Sequence, residues 1–309
     1  MQSLWMIVAS LLFACMGVCV KLGSTQFSAG EMVSWRGLVG VLMVGVLARA
    51  QGVRLATPLW RLQLSRGLSG SFALMCYFVA IGLLPLATAV TLSYTSPIFV
   101  ALLLALMFGE RLRPGVLLAV GTGFVGIVLL LRPTLQADQW LGALVGLGAG
   151  LVSSLAYVSV RELGRAGEPE VRTVFWFSAL TALLGLPWLV AGGNLATLDL
   201  RGVLVIAGIG LFGGGAQLAM TRAYRLGKTI VSASLAYTTV IFSSLFGMLL
   251  WDETLPPAAL LAIALIVASG VMTSLATRSP ARRPGPPIER PGGEGYSSPH
   301  DPPAFRRLP

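Results

Sequence analysis

The sequence predicts an all-α integral membrane protein: ten transmembrane helices arranged as two inverted five-helix repeats, with both termini cytoplasmic. Three observations predict it. Apolar runs of membrane-spanning length recur along the chain, basic residues gather in alternate connections, and one phrase is written twice, as "YTSPIF" at 94–99 and "YTTVIF" at 237–242.

Of 309 residues, 55% are hydrophobic and 11% charged, where soluble domains carry about a quarter charged residues. About 20 apolar residues cross a hydrocarbon core of roughly 30 Å. Backbone in lipid must satisfy its own hydrogen bonds, so each such run becomes a helix. In chain order the spans are 4–20, 31–47, 67–84, 87–108, 114–131, 141–160, 173–190, 202–221, 229–250 and 257–276. The first has no basic segment before it and no small-residue cleavage site after it, so it reads as a helix and not as a cleaved signal peptide. The second carries Arg36 about five residues, or roughly 7–8 Å, inside its outer end. The fourth holds Pro97 at mid-helix, where proline removes a backbone hydrogen bond and kinks the chain. The fifth opens on Pro114, a position proline favours. The eighth is thinned by glycines at 213–215 and carries Gln217. The longest connection, 48–66, is too short for a folded domain. After 276, Pro and Gly dominate, and 277–309 reads as a disordered cytoplasmic tail.

The net charge of +10 is explained by topology. Short loops rich in Lys and Arg stay inside. With the N-terminus inside, Arg49, Arg54, Arg61 and Arg66 share one inner loop, and the other inner loops and the tail hold nearly all the remaining basic residues. Lys21, Arg132 and Arg201 fall outside, and Arg36 alone lies within a span. A nucleic-acid partner is not required.

The doubled phrase extends further. At an offset of 143, Ala80 matches Ala223, Tyr94 Tyr237, Thr95 Thr238, Ile98 Ile241, Phe99 Phe242, Glu110 Glu253 and Pro114 Pro257. The chain therefore divides into repeats at 1–138 and 139–276. Five helices is an odd number, so the second repeat inserts upside down relative to the first. Such pairs are a common basis for alternating access.

These residues carry a resemblance. The stretch "PLATAVTLSYTSPIFVALLLALMFGERL" and its echo "TIVSASLAYTTVIFSSLFGMLLWDETL" resemble the EamA-type branch of the drug/metabolite transporter superfamily. The resemblance implies ten helices, a site between the halves, and transport of small metabolites, often export of amino acids or related compounds. The second half departs from the pattern at Asp252, at Val240 opposite Pro97, and in having no counterpart to Arg36. An asymmetric site is expected.

Candidate substrate contacts follow from the polar faces. Thr88, Thr91 and Thr95 share one face of the fourth helix, bordered by Tyr94; Ser234, Tyr237 and Thr238 hold matching positions on the ninth. Against this stands the plainer reading, that Ser and Thr bond their own backbone or tie helices together. Arg36 suits a carboxylate held by two parallel hydrogen bonds, with snorkelling to the surface as its alternative. Gln217 and Trp176 complete the set of substrate-binding candidates. Pro97, Glu110 and Glu253 are expected to gate or support.

Other chemistries find little. Cys15, Cys19 and Cys76 lie in spans with no His, Asp or Glu close by in sequence, so no metal or other cofactor is expected. The sole histidine, His300, is in the tail, and carboxylates read as helix-end, loop or tail residues. This leaves an enzyme without acids or bases in the membrane. "LGKT" at 226–229 lacks the earlier glycine of a phosphate-binding loop, since position 222 is arginine. The expected function is a secondary transporter exporting small polar metabolites such as amino acids or their derivatives. Drugs, nucleobases and amino-acid-derived metal chelators are alternative solutes, and a non-transporting membrane interaction protein is the alternative class. The expected partners are a small-molecule substrate and the lipid bilayer, with oligomeric state open. Only Lys21 and Lys228 are lysines among 22 basic residues, a bias that fits a GC-rich genome and the bacterial cytoplasmic (inner) membrane.

Overall fold

A computed structural model describes residues 2–84, 86–108, 114–131, 139–192, 199–252 and six helical residues between 261 and 272. Among them the chain forms α1 (Trp5–Gly23), α2 (Ala29–Ala50), α3 (Trp60–Leu83), α4 (Leu86–Ser93), α5 (Ser96–Phe108), α6 (Pro114–Leu131), α7 (Trp140–Arg165), α8 (Glu170–Gly192), α9 (Leu200–Leu226), α10 (Thr229–Leu235) and α11 (Thr238–Trp251), with no strand. Seven helical stretches of the described residues are long and apolar enough to cross a membrane, α10 and α11 counting together as one. Large apolar side chains such as Leu42, Val46, Leu106, Val190 and Leu249 point outward. In water such surface invites association; in lipid it is satisfied.

Local signals start the helices. Ser28 caps α2 reciprocally: its Oγ accepts from Glu31 N at 3.3 Å, and its own N–H donates to Glu31 Oε2 at 2.7 Å. Asp199 caps α9 by accepting from Gly202 N at 2.7 Å.

The third helix begins at Trp60, earlier than the expected 67, which draws Gln63 and Arg66 out of the expected loop. Both are buried. A polar side chain at a helix end reads as loop in the sequence, but here these two turn toward protein and away from lipid. Arg36 is therefore not the sole charge inside a span.

The expected fourth and ninth helices are each broken. Between α4 and α5 the chain turns at Tyr94 and Thr95; between α10 and α11 it turns at Ala236 and Tyr237. Each break carries the doubled phrase. Three-residue backbone bonds mark both, from Thr95 N to Leu92 O at 3.3 Å and from Tyr237 N to Ser234 O at 3.2 Å. Pro97 is not at mid-helix. It is the second residue of α5, within the first turn, where a missing N–H costs nothing. Val240 stands opposite it, and α10 and α11 part without proline.

The principal packing pairs are α1 with α9, α2 with α8, and α3 with α7. Exchange α1, α2, α3 for α7, α8, α9 and the same three pairs return. At the α2–α8 crossing the backbones nearly touch. A Cβ at Gly37 would overlap the backbone nitrogen of Ala182, and one at Gly185 would lie 2.8 Å from Ser34 backbone. Ser34 Oγ donates to Ala182 O at 3.2 Å. Small residues allow this approach, which stands in for hydrophobic driving force between helices in lipid. The main core gathers Met16, Val20, Met32, Leu74, Phe78 and Ile209 beside Phe177 and Tyr237.

Candidate functional site: a cavity among α1, α3, α4, α7, α8 and α9

One face of α3 presents Arg66, Gly70, Ala73, Leu74 and Tyr77, spaced to stack along a single stripe. Opposite stand Ser153 and Tyr157 of α7, Phe177 of α8 and Gln217 of α9; Phe13 and Met16 of α1, Ser93 at the end of α4 and Tyr94 at the break complete the lining. The cavity is small, about 70 Å³, and partly open at its mouth.

Arg66 is the charged group of this wall and is only 2% exposed. Its Nη2 donates to Gln217 Oε1 at 3.0 Å. Its guanidinium lies 4.2 Å from the Phe177 ring centre, a cation–π contact. Gly70 makes the room, because a Cβ there would collide with the Arg66 guanidinium. Arg36, also 2% exposed, approaches the same Phe177 ring at 5.2 Å and donates from Nη2 to Gly213 O at 3.4 Å. It is buried between helices and does not snorkel. It lies behind the cavity and not on its wall.

Of the residues expected from sequence, Tyr94 and Gln217 line the cavity. Tyr237, the partner of Tyr94 in the repeat, does not. It is 0% exposed, sits against Gly123, and its hydroxyl has no hydrogen-bond partner among the described residues. Thr95 and Thr238 spend their hydroxyls on their own backbone, each donating over 2.7 Å to the carbonyl three residues back, Leu92 and Leu235. Ser234 is buried in α10. Trp176 donates its indole N–H to Leu55 O at 2.9 Å, so the neighbouring Phe177 is the aromatic residue that faces the cavity. The Thr91 side chain, Glu110 and Glu253 lie outside the described residues. Among the described residues no group of three His, Cys, Asp or Glu could hold a metal.

Sequence reasoning passed over Arg66, Tyr77, Ser153 and Phe177. The one available signal was the stripe of Arg66, Gly70, Ala73 and Tyr77 at helical spacing.

A second, more open cavity, of about 350 Å³, is lined by Arg161, Arg165, Tyr224, Arg225 and Lys228 with Leu104, Gly227, Thr229 and Ile230. Tyr224 stacks on Tyr157, ring centres 5.3 Å apart and planes at 18°. Because Tyr157 lines the first cavity and Tyr224 the second, this pair is a partition between them. Arg225 is held by Glu170 at 2.6 Å and Arg165 by Glu162 at 3.5 Å.

Apolar helices surrounding an arginine-bearing cavity define a multi-pass membrane protein. The chain belongs to the EamA-like transporter family, which matches residues 1–132 and again 140–275; it is a membrane transporter. It is 32% identical over 272 residues to the "Pseudopaline exporter CntI" of Pseudomonas aeruginosa (strain UCBPP-PA14), covering 87% of this chain and 92% of that one. A "Riboflavin transporter" of Rhizobium johnstonii is 28% identical over 226 residues, 72% of this chain and 74% of that one. A solved crystal structure with 23% identity superposes with a TM-score of 0.74 over 90% of this chain and 98% of its own, which shows the fold.

Proposed function

We propose that the protein is a secondary carrier of the bacterial cytoplasmic membrane that exports small polar metabolites, such as amino acids or their derivatives, by alternating access. Ten helices in two inverted repeats, 1–138 and 139–276, with both termini and the 277–309 tail cytoplasmic, are the framework of this reading. One observation carries it. The cavity takes Arg66, Tyr77 and Tyr94 from the first repeat and Tyr157, Phe177 and Gln217 from the second, so relative movement of the repeats remakes the site. The exchange symmetry of the helix pairs supports the same mechanism. The outward direction is supported by the relative named as an exporter. Export of pseudopaline or a compound like it is the second reading, favoured by that relative.

The test is counterflow of labelled amino acids in proteoliposomes, comparing the wild type with Tyr94→Ala and Arg36→Ala. Saturable exchange that is lost in Tyr94→Ala supports a carrier with its site at the cavity. Exchange that survives both changes moves the site elsewhere. No exchange of any amino acid turns the search to the second reading.

A further inference from the structure

The charge around the cavity narrows the solute. Arg66 is buried, yet its Nε has no hydrogen-bond partner among the described residues, and the same holds for the Oγ of Ser93 on the cavity wall. Two polar groups with unmet bonds therefore share one cavity. Arg36, against the same Phe177 ring, also has an unpartnered Nε. The ion pairs observed among the described residues join Glu162, Glu168 and Glu170 to Arg161, Arg165, Arg172 and Arg225. None of them reaches Arg66 or Arg36. Apart from each other, both guanidiniums have neutral neighbours: an amide oxygen, a backbone carbonyl and one aromatic ring. An ion taken out of water costs several kcal/mol unless an opposite charge and further hydrogen bonds offset it, and among the described residues no anion pairs with Arg66.

We infer that the solute supplies it: the transported molecule carries a carboxylate, which seats on Arg66 with Ser93 and Gln217 as neighbouring hydrogen-bonding groups. This rests on the carrier reading above and specifies its substrate class. A guanidinium presents paired donors that match a carboxylate's two oxygens. Gln217 holds the fork through Arg66 Nη2 and releases that donor when the carboxylate arrives. Tyr77, Tyr94 and Phe177 then enclose the rest of the solute. A cation without a carboxylate meets two buried positive charges and is rejected. A neutral solute leaves the Arg66 charge uncompensated and binds weakly.

The solute is identified by the experiment itself. The full chain is expressed in a bacterial host, and compounds released to the medium are compared by mass spectrometry among empty vector, wild type, Gln217→Glu and Arg66→Lys, with membrane yield and monodispersity as the check on folding. Gln217→Glu is nearly isosteric and places a fixed carboxylate beside Arg66. The expected result is that compounds enriched by the wild type bear a carboxylate. Their release falls on the order of tenfold or more in Gln217→Glu, as loss of a charge-assisted pair implies, and is partly retained in Arg66→Lys. Enriched compounds without a carboxylate overturn the inference whatever the variants do, as does wild-type release by a folded Gln217→Glu. If the wild type enriches nothing over vector, the exporter reading itself fails and the inference falls with it, an outcome distinct from the other two.

Discussion

Arg66 Nη2 lies 3.0 Å from Gln217 Oε1, so a single buried hydrogen bond joins α3 to α9 beside the cavity. Replacing Gln217 with leucine removes the acceptor and leaves the guanidinium facing carbon. The expected loss is about 1–3 kcal/mol, the range for a buried polar group left unpaired. It is read as a lower thermal unfolding midpoint of the purified protein in detergent. An unchanged midpoint would show that Arg66 finds another partner.

The α2–α8 crossing tolerates little added bulk, because backbone and not a flexible side chain faces Gly37. Gly37→Leu forces a side chain into the backbone of Ala182, and overpacking of this kind costs about 1–3 kcal/mol or more. Ser34→Ala, a few residues away, removes only its bond to Ala182 O and costs about 0.5–1.5 kcal/mol. The ranking of these two variants in thermal unfolding is the check; equal effects would mean that the helices separate easily.

The helix breaks depend on threonine more than on proline. Thr95→Val and Thr238→Val each remove a 2.7 Å hydroxyl-to-carbonyl bond at the break, with an expected cost of about 0.5–1.5 kcal/mol apiece. Pro97→Ala leaves the break in place, because residue 97 already sits in the first turn of α5. Thermal unfolding and transport together decide it: a larger loss in Pro97→Ala than in either threonine variant would reverse the assignment.

The Tyr157–Tyr224 partition is open to labelling. In a chain with Cys15, Cys19 and Cys76 changed to serine, Ser93→Cys places a thiol on the wall of the first cavity. Adding Tyr157→Ala removes one ring of the stack. A bulky membrane-impermeant maleimide applied from the side of the second cavity is expected to react about two- to twelvefold faster, the equivalent of the 0.5–1.5 kcal/mol such a ring pair contributes. An unchanged rate would show that the two cavities are separated by something other than these rings.

Hydropathy carried most of the fold, because lipid demands long apolar helices and few other structures meet that demand. It failed where a polar residue faces inward at a helix end. Gln63 and Arg66 look like loop in the sequence, and only tertiary packing reveals that they are enclosed. The repeat located both helix breaks without identifying them as breaks, since "YTSPIF" and "YTTVIF" read as continuous helix apart from one proline. It also suggested that Tyr94 and Tyr237 share a role, whereas Tyr94 faces the cavity and Tyr237 is packed in the core. Sequence identity between halves cannot show which half is open. Trp176 and Phe177 differ by one step of about 100° around α8, finer than a sequence-based choice of helix face can resolve.

The buried arginines also bear on how the chain is made. Arg36 and Arg66 meet their hydrogen-bond partners on α9, 177 and 151 residues further along. An arginine at the centre of an inserting helix costs roughly 2.5–3.5 kcal/mol while unpaired, an upper bound for these two, which lie before the middle of α2 and α3. Synthesis at about 5–20 residues per second leaves that cost standing for roughly ten to thirty seconds. During that interval α2 and α3 are in the membrane with their charged side chains reaching for a helix the ribosome has not yet produced. Assembly of the early helices is thus completed by the late ones, and a chain halted before α9 leaves both guanidiniums without their partners.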